Sequence, residues 1–149
     1  MGIIINKFEP NDAMRFAREK AECTRSAFSE IMGLKEGTIT GYELGRRRFS
    51  FEIYIKALIL LNHTLIIKGP RAQDDIVING DPENKHSPKE VIKTLREWTG
   101  KTQKDFSKDT GINIKTLQDY EQGNKRYYYE TLHRITKKYN FIVDFEYRK

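Results

Sequence analysis

The sequence predicts a mainly α-helical protein with a small central β-sheet, arranged as a strand–four-helix–strand unit that occurs twice. Three observations carry this expectation. First, the 149-residue chain matches itself. The segment from Thr24 to Gly45 aligns without a gap on Thr102 to Gly123, with eight of 22 positions identical. Arg48 over Arg126 and Glu52 over Glu130 extend the match. Internal self-similarity of this kind is a sequence signature of repeated structural units. Second, short β-branched runs flank each copy: Ile3–Asn6 and Thr64–Gly69 around the first, Ile76–Asn79 and Phe141–Tyr147 around the second. Third, the interiors carry apolar residues at helical spacing.

The elements follow in order. Residues 1–72 form the first expected half and residues 73–149 the second, with the turn-rich stretch 68–75 between them. The first helix of each half is "NDAMRFAREKAE" and "SPKEVIKTLREWTG". Asn11 or Asp12 is expected to cap the former. Ser87, with Pro88 at the first turn and Glu90 at capping-box spacing, is expected to cap the latter. Thr24 and Thr102 are the expected caps of the second helices. Gly33 and Gly111 end those helices, where a tight turn demands a positive φ. Third helices start near Thr38 and Thr116 and end near Gly45 and Gly123. Fourth helices span about 50–62 and 128–140. Phe28, Leu34, Ile39 and Tyr42, with Phe106, Ile112, Leu117 and Tyr120, fall at core positions. Trp98 is expected in the core or between the halves. The run Tyr127–Tyr129 opens the last helix and cannot face one way throughout. Two short strands alone are marginal, so the four strands are expected to share one sheet.

Two helices joined by a glycine turn have the geometry of a DNA-binding helix pair, whose second helix enters the major groove. The spacing Thr-Gln-x-x-Phe, then Gly111, Thr116-Leu117 and Tyr120-Glu121-x-Gly123, resembles the phage-repressor (Cro, XRE-type) helix-turn-helix family. The match covers about 22 residues of each half and is clearer in the second, because Arg25 stands where the family has Gln. The resemblance implies an ion pair between the first and third helices of each half. Arg18 precedes Glu43 by the same 25 positions that separate Arg96 from Glu121.

The resemblance also implies where DNA is met. The base-reading positions are Ile114, Lys115, Thr116 and Asp119 in the second half, with Gln118 on the next turn; Lys suits guanine and Gln suits adenine or phosphate. The first half offers Glu36, Gly37, Thr38 and Gly41 there, which are poor readers. Basic clusters follow each third helix: Arg46, Arg47 and Arg48 in one half, Asn124, Lys125 and Arg126 in the other. They are expected to contact backbone phosphates. Arg25, Thr40, Gln103, Lys104 and Asn113 complete the expected DNA-contacting set.

Net charge is +6 and the pI about 9.3, a balance that suits phosphate binding. Residues 1–72 hold 12 basic and 8 acidic groups and residues 73–149 hold 15 and 13, so local clustering must make any binding face. Cys23 is the single cysteine, which excludes an internal disulfide and suits a reducing, cytoplasmic setting. No apolar run is long enough for a membrane span or an N-terminal signal. His63, His86 and His133 lack metal-ligand spacing with Cys23. No phosphate loop or nucleophile motif is present. No enzyme activity, cofactor or metal is expected.

The strand-flanked duplication resembles the TraN-type accessory DNA-binding proteins of Gram-positive conjugative plasmids. That likeness implies a monomer with an internal pseudo-two-fold, binding double-stranded DNA near an origin of transfer, with a relaxase or other transfer proteins as partners. The alternatives are a transcriptional repressor of a phage or mobile element, and a helix-turn-helix module that binds protein, as antitoxins or inhibitors do.

Overall fold

The computed structural model describes residues 3–80 and 86–147. Its order is β1 (Ile3–Ile4), α1 (Pro10–Lys20), α2 (Arg25–Met32), α3 (Glu36–Glu43), α4 (Phe51–Leu60) and β2 (His63–Ile67). There follow β3 (Ile76–Ile78), α5 (Pro88–Thr99), α6 (Gln103–Thr110), α7 (Ile114–Gln122), α8 (Tyr129–Lys138) and β4 (Val143–Tyr147). The protein is mainly helical with a small antiparallel sheet of order β1-β4-β2-β3. The central pair, β2 and β4, is in register about Ile66 opposite Asp144. Leu65, Ile67, Ile76, Ile78, Val143 and Phe145 are buried together with the apolar faces of the helices in one core. Among the described residues no helix is long and apolar enough to cross a membrane.

Local signals set most boundaries. Thr24 and Thr102 accept hydrogen bonds from the Ala27 and Asp105 amides at 3.1 and 3.2 Å. Ser87 and Glu90 close the capping box ahead of α5. Gly33 and Gly111 take φ of 68° and 76° and end α2 and α6. A residue with a Cβ would be strained at that φ, so glycine fixes the angle between the paired helices.

Three expectations are corrected. Neither Asn11 nor Asp12 caps α1. The helix begins at Pro10, with Glu9 at the N-cap and no side-chain cap bond. Pro10 fixes φ and has no amide to satisfy, so it starts the helix two residues early. Asn11 instead donates to the Glu43 carbonyl at 3.0 Å, tying α1 to the end of α3. Asp12 pairs with Arg15 at 2.9 Å.

The run from Ile3 to Asn6 is a strand only over Ile3–Ile4. Residues Ile5–Lys7 form a single 3-10 turn. Ile5 is wholly buried. Asn6 replaces the main-chain ladder with its side chain, donating to the Phe141 carbonyl at 2.5 Å and accepting from the Val143 amide at 3.3 Å. A side-chain amide that satisfies backbone groups in this way lets the chain leave the sheet.

The tyrosine run does not open a helix as a block. Only Tyr129 is helical, and Tyr128 is extended with φ −75° and ψ 151°. In extended chain successive side chains alternate. Tyr127 and Tyr129 are therefore buried and Tyr128 is exposed. The extended segment pairs with the one ahead of α4. The Phe51 amide donates to the Tyr127 carbonyl and the Tyr129 amide donates to the Phe49 carbonyl, both at 3.0 Å. Phe49 stacks on Tyr129 and Phe51 on Tyr127, with centroids 5.7 and 5.8 Å apart. Trp98 is half-buried edge-on to Phe141.

Two buried histidines make stability depend on pH. His63 is wholly buried and His133 is 8% exposed. The His63 Nε2–H donates to the Ala17 carbonyl at 2.7 Å. Burial lowers both pKa values below the ordinary 6.5. The unfolded chain takes up protons near the ordinary value while the folded chain resists. Stability from this source is thus complete above that pH and lost as pH falls below it. Urea midpoints are expected to drop between neutral pH and about pH 5, and His133→Gln is expected to flatten the drop.

Candidate nucleic-acid interface

Each half presents a helix pair, α2–α3 and α6–α7, clamped to the first helix behind it. Arg18 reaches Glu43 through Nε at 2.7 Å and Nη2 at 2.9 Å. Arg96 reaches Glu121 in the same way at 2.8 and 3.0 Å. The third donor of each guanidinium, Nη1, bonds the carbonyl of Cys23 or Lys101 at 2.9 Å. The forked geometry of arginine satisfies a carboxylate and a turn at once. The Glu43 side chain has no exposed surface and that of Glu121 only 4%.

The helix starts differ between the halves. Asn113 Oδ1 accepts from the amides of Lys115 and Thr116 at 2.9 and 3.4 Å, so it caps α7. That oxygen is therefore committed to the helix. At the corresponding place Lys35 gives α3 no side-chain cap. Arg25 and Gln103, expected to meet DNA, brace the buried carboxylates: Arg25 Nε to Glu43 at 3.1 Å and Gln103 Nε2 to Glu121 at 3.2 Å. Thr40 donates to the Glu36 carbonyl one turn back, at 3.1 Å.

On α7, Lys115 projects into solvent and its ammonium lies 3.4 Å from Asp119 one turn on. Thr116 and Gln118 are half-buried, and Lys104 on α6 is exposed. On α3, Gly37 is exposed and Gly41 is buried. Arg47 accounts for the latter. Its Nη1 donates to Thr38 Oγ1 at 3.3 Å, and a Cβ added at Gly41 would sit 3.0 Å from Arg47 Cδ.

The two basic clusters are exposed. Within them Asn124 donates to Gln122 at 3.0 Å. Two members cross to the other half, which the chain order alone did not indicate. Arg126 Nε lies 2.7 Å from Glu52 on α4, and Arg48 Nη1 lies 4.0 Å from Glu130 on α8. Arg48 also stands over the Tyr128 ring, 4.4 Å from its centroid. The recesses beside them match in outline. Pro10, Gly45, Arg48, Phe49 and Glu130 line one, and Pro88, Gly123, Arg126, Tyr127 and Glu52 line the other. The self-match of the sequence had already aligned Arg48 with Arg126 and Glu52 with Glu130, and that alignment was the available signal.

No protein-family model matches this chain, and comparison with curated sequences and with solved structures finds no similar protein.

Proposed function

We propose that this chain is a double-stranded DNA-binding protein built as an internal duplication, with residues 1–72 and 73–149 each contributing one helix-turn-helix unit. The observation that carries the reading is the pairing, in both halves, of a clamped two-helix unit with an exposed basic cluster just past its second helix. The reciprocal bonds between Phe49–Phe51 and Tyr127–Tyr129 support the duplication, as does the central register of β2 on β4. So do the crossed pairs Arg126–Glu52 and Arg48–Glu130. Two covalently joined readers act at high effective concentration without bimolecular association.

The setting we propose is a mobile element in the cytoplasm, at an origin of transfer beside a relaxase or at the promoters of transfer genes. A nuclease-protection footprint on element DNA separates these two positions.

Sequence reading in the second half falls to Lys115 and Gln118, which have the length and donors to reach base edges. The test is a randomised-site selection on duplex DNA with wild type, Lys115→Ala and Gln118→Ala. Each change is expected to relax one or two base positions, with discrimination there falling by about 1–3 kcal/mol. Unchanged site preference in both variants would remove them as readers. Absence of any salt-dependent duplex binding by the wild type would remove the function itself.

A further inference from the structure

Two of the four reading positions on the first half's third helix, Gly37 and Gly41, carry no side chain. The positions that match Lys115 and Asp119 of α7 are Gly37 and Gly41 of α3. That face is nevertheless not bare, because an arginine from beyond the helix lies on it. The amides of Arg46 and Arg47 both donate to the Gly41 carbonyl, at 2.9 and 3.1 Å, which turns the chain back against the end of α3. The Arg47 stem then runs over Gly41, where an added Cβ would meet Cδ at 3.0 Å and Cγ at 3.1 Å. Its guanidinium ends at Thr38 Oγ1, 3.3 Å away and one turn nearer the helix start. The side chain thus travels backwards along the helix and delivers its charge to the N-terminal part of α3. That end of a groove-bound recognition helix faces base edges.

We propose that Arg47 is the base-reading side chain of the first half, laid back from the following turn along a helix whose reading face carries two glycines. The proposal rests on the DNA-binding reading above and departs from the expectation that Arg46, Arg47 and Arg48 act alike on phosphates. Arg48 faces Glu130 and Tyr128. Arg47 has no carboxylate within ion-pair distance among the described residues. One of its five donors is used by Thr38, and the others keep the fork that matches guanine O6 and N7. The contacts to Gly41 and Thr38 hold the stem in place beforehand, so less rotamer freedom is lost on binding. In the second half the same space is occupied by Asp119, which pairs with Lys115, and the counterpart of Arg47 is the exposed Lys125.

The test is a randomised-site selection and a salt titration on duplex DNA with the full chain, as wild type, Arg47→Ala, Arg47→Lys and Gly41→Ala. Arg47→Ala is expected to abolish preference at one or two positions of a single half-site. Discrimination there falls by about 5- to 150-fold. The salt slope and the other half-site are expected to be unchanged. Arg47→Lys keeps the charge but lacks the planar fork, and is expected to retain only part of that preference. Gly41→Ala is expected to reproduce the Arg47→Ala loss by displacing the stem, with the melting temperature checked to show that α3 persists. If Arg47→Ala keeps every base preference while the salt slope falls by about 0.9, the residue grips a phosphate and the proposal is overturned. A wild type that binds no duplex DNA would instead overturn the DNA-binding reading, and this proposal with it.

Discussion

Replacing Arg96 by leucine is expected to destabilise the protein by about 3–5 kcal/mol, because it leaves the Glu121 carboxylate buried without a cation. Among the described residues, the only other side chain hydrogen-bonded to that carboxylate is the neutral Gln103. The same change at Arg18 is expected to cost less, although Glu43 is the more deeply buried acid. There Arg25 remains at 3.1 Å and keeps the carboxylate paired. The order of the two single variants is thus set by one position, where the first half carries arginine and the second carries glutamine. Urea unfolding of Arg18→Leu, Arg96→Leu and the double variant Arg18→Leu/Arg25→Ala checks it. The double variant is expected to fall to the level of Arg96→Leu or below. Equal losses in Arg18→Leu and Arg96→Leu would show that Arg25 does not hold Glu43 in solution.

Removing Arg46, Arg48, Lys125 and Arg126 together is expected to weaken duplex binding steeply and evenly across sequences. Phosphate contacts carry no sequence information. Four lost contacts would flatten the salt dependence by up to about 3.6 in log–log slope, at about 0.9 per phosphate. The four are not equivalent. Arg126 is engaged by Glu52 at 2.7 Å, and Arg48 faces Glu130 at 4.0 Å. Each carboxylate competes with phosphate for its cation. Glu52→Gln is therefore expected to tighten DNA binding, and Glu130→Gln less so. The gain is at most about fivefold, since exposed ion pairs contribute about 0–1 kcal/mol. Filter binding or fluorescence anisotropy over a salt series measures the wild type, the quadruple variant and the two single variants. Unchanged affinity in the quadruple variant would show that these clusters do not meet DNA.

Much of the fold was legible in the chain because the signals that set it act over one helical turn. Thr24, Thr102 and Ser87 cap the residues just after them, and Gly33 and Gly111 supply a backbone angle that other residues resist. The Arg18–Glu43 and Arg96–Glu121 clamps were legible through the family resemblance, which carries a spacing rather than a contact. What the sequence could not specify depends on which distant surfaces come together. Asn6 leaves the strand ladder because Phe141 and Val143 stand beside it. Tyr127 and Tyr129 point inward because their segment pairs with Phe49–Phe51, which extends the chain and alternates its side chains. Arg126 and Arg48 find Glu52 and Glu130 only once α4 and α8 are packed. Gly41, which reads in the sequence as a gap on a recognition helix, becomes in the structure the seat of Arg47. A glycine has no side chain to mark its purpose, and only the packed neighbour shows why a Cβ is missing.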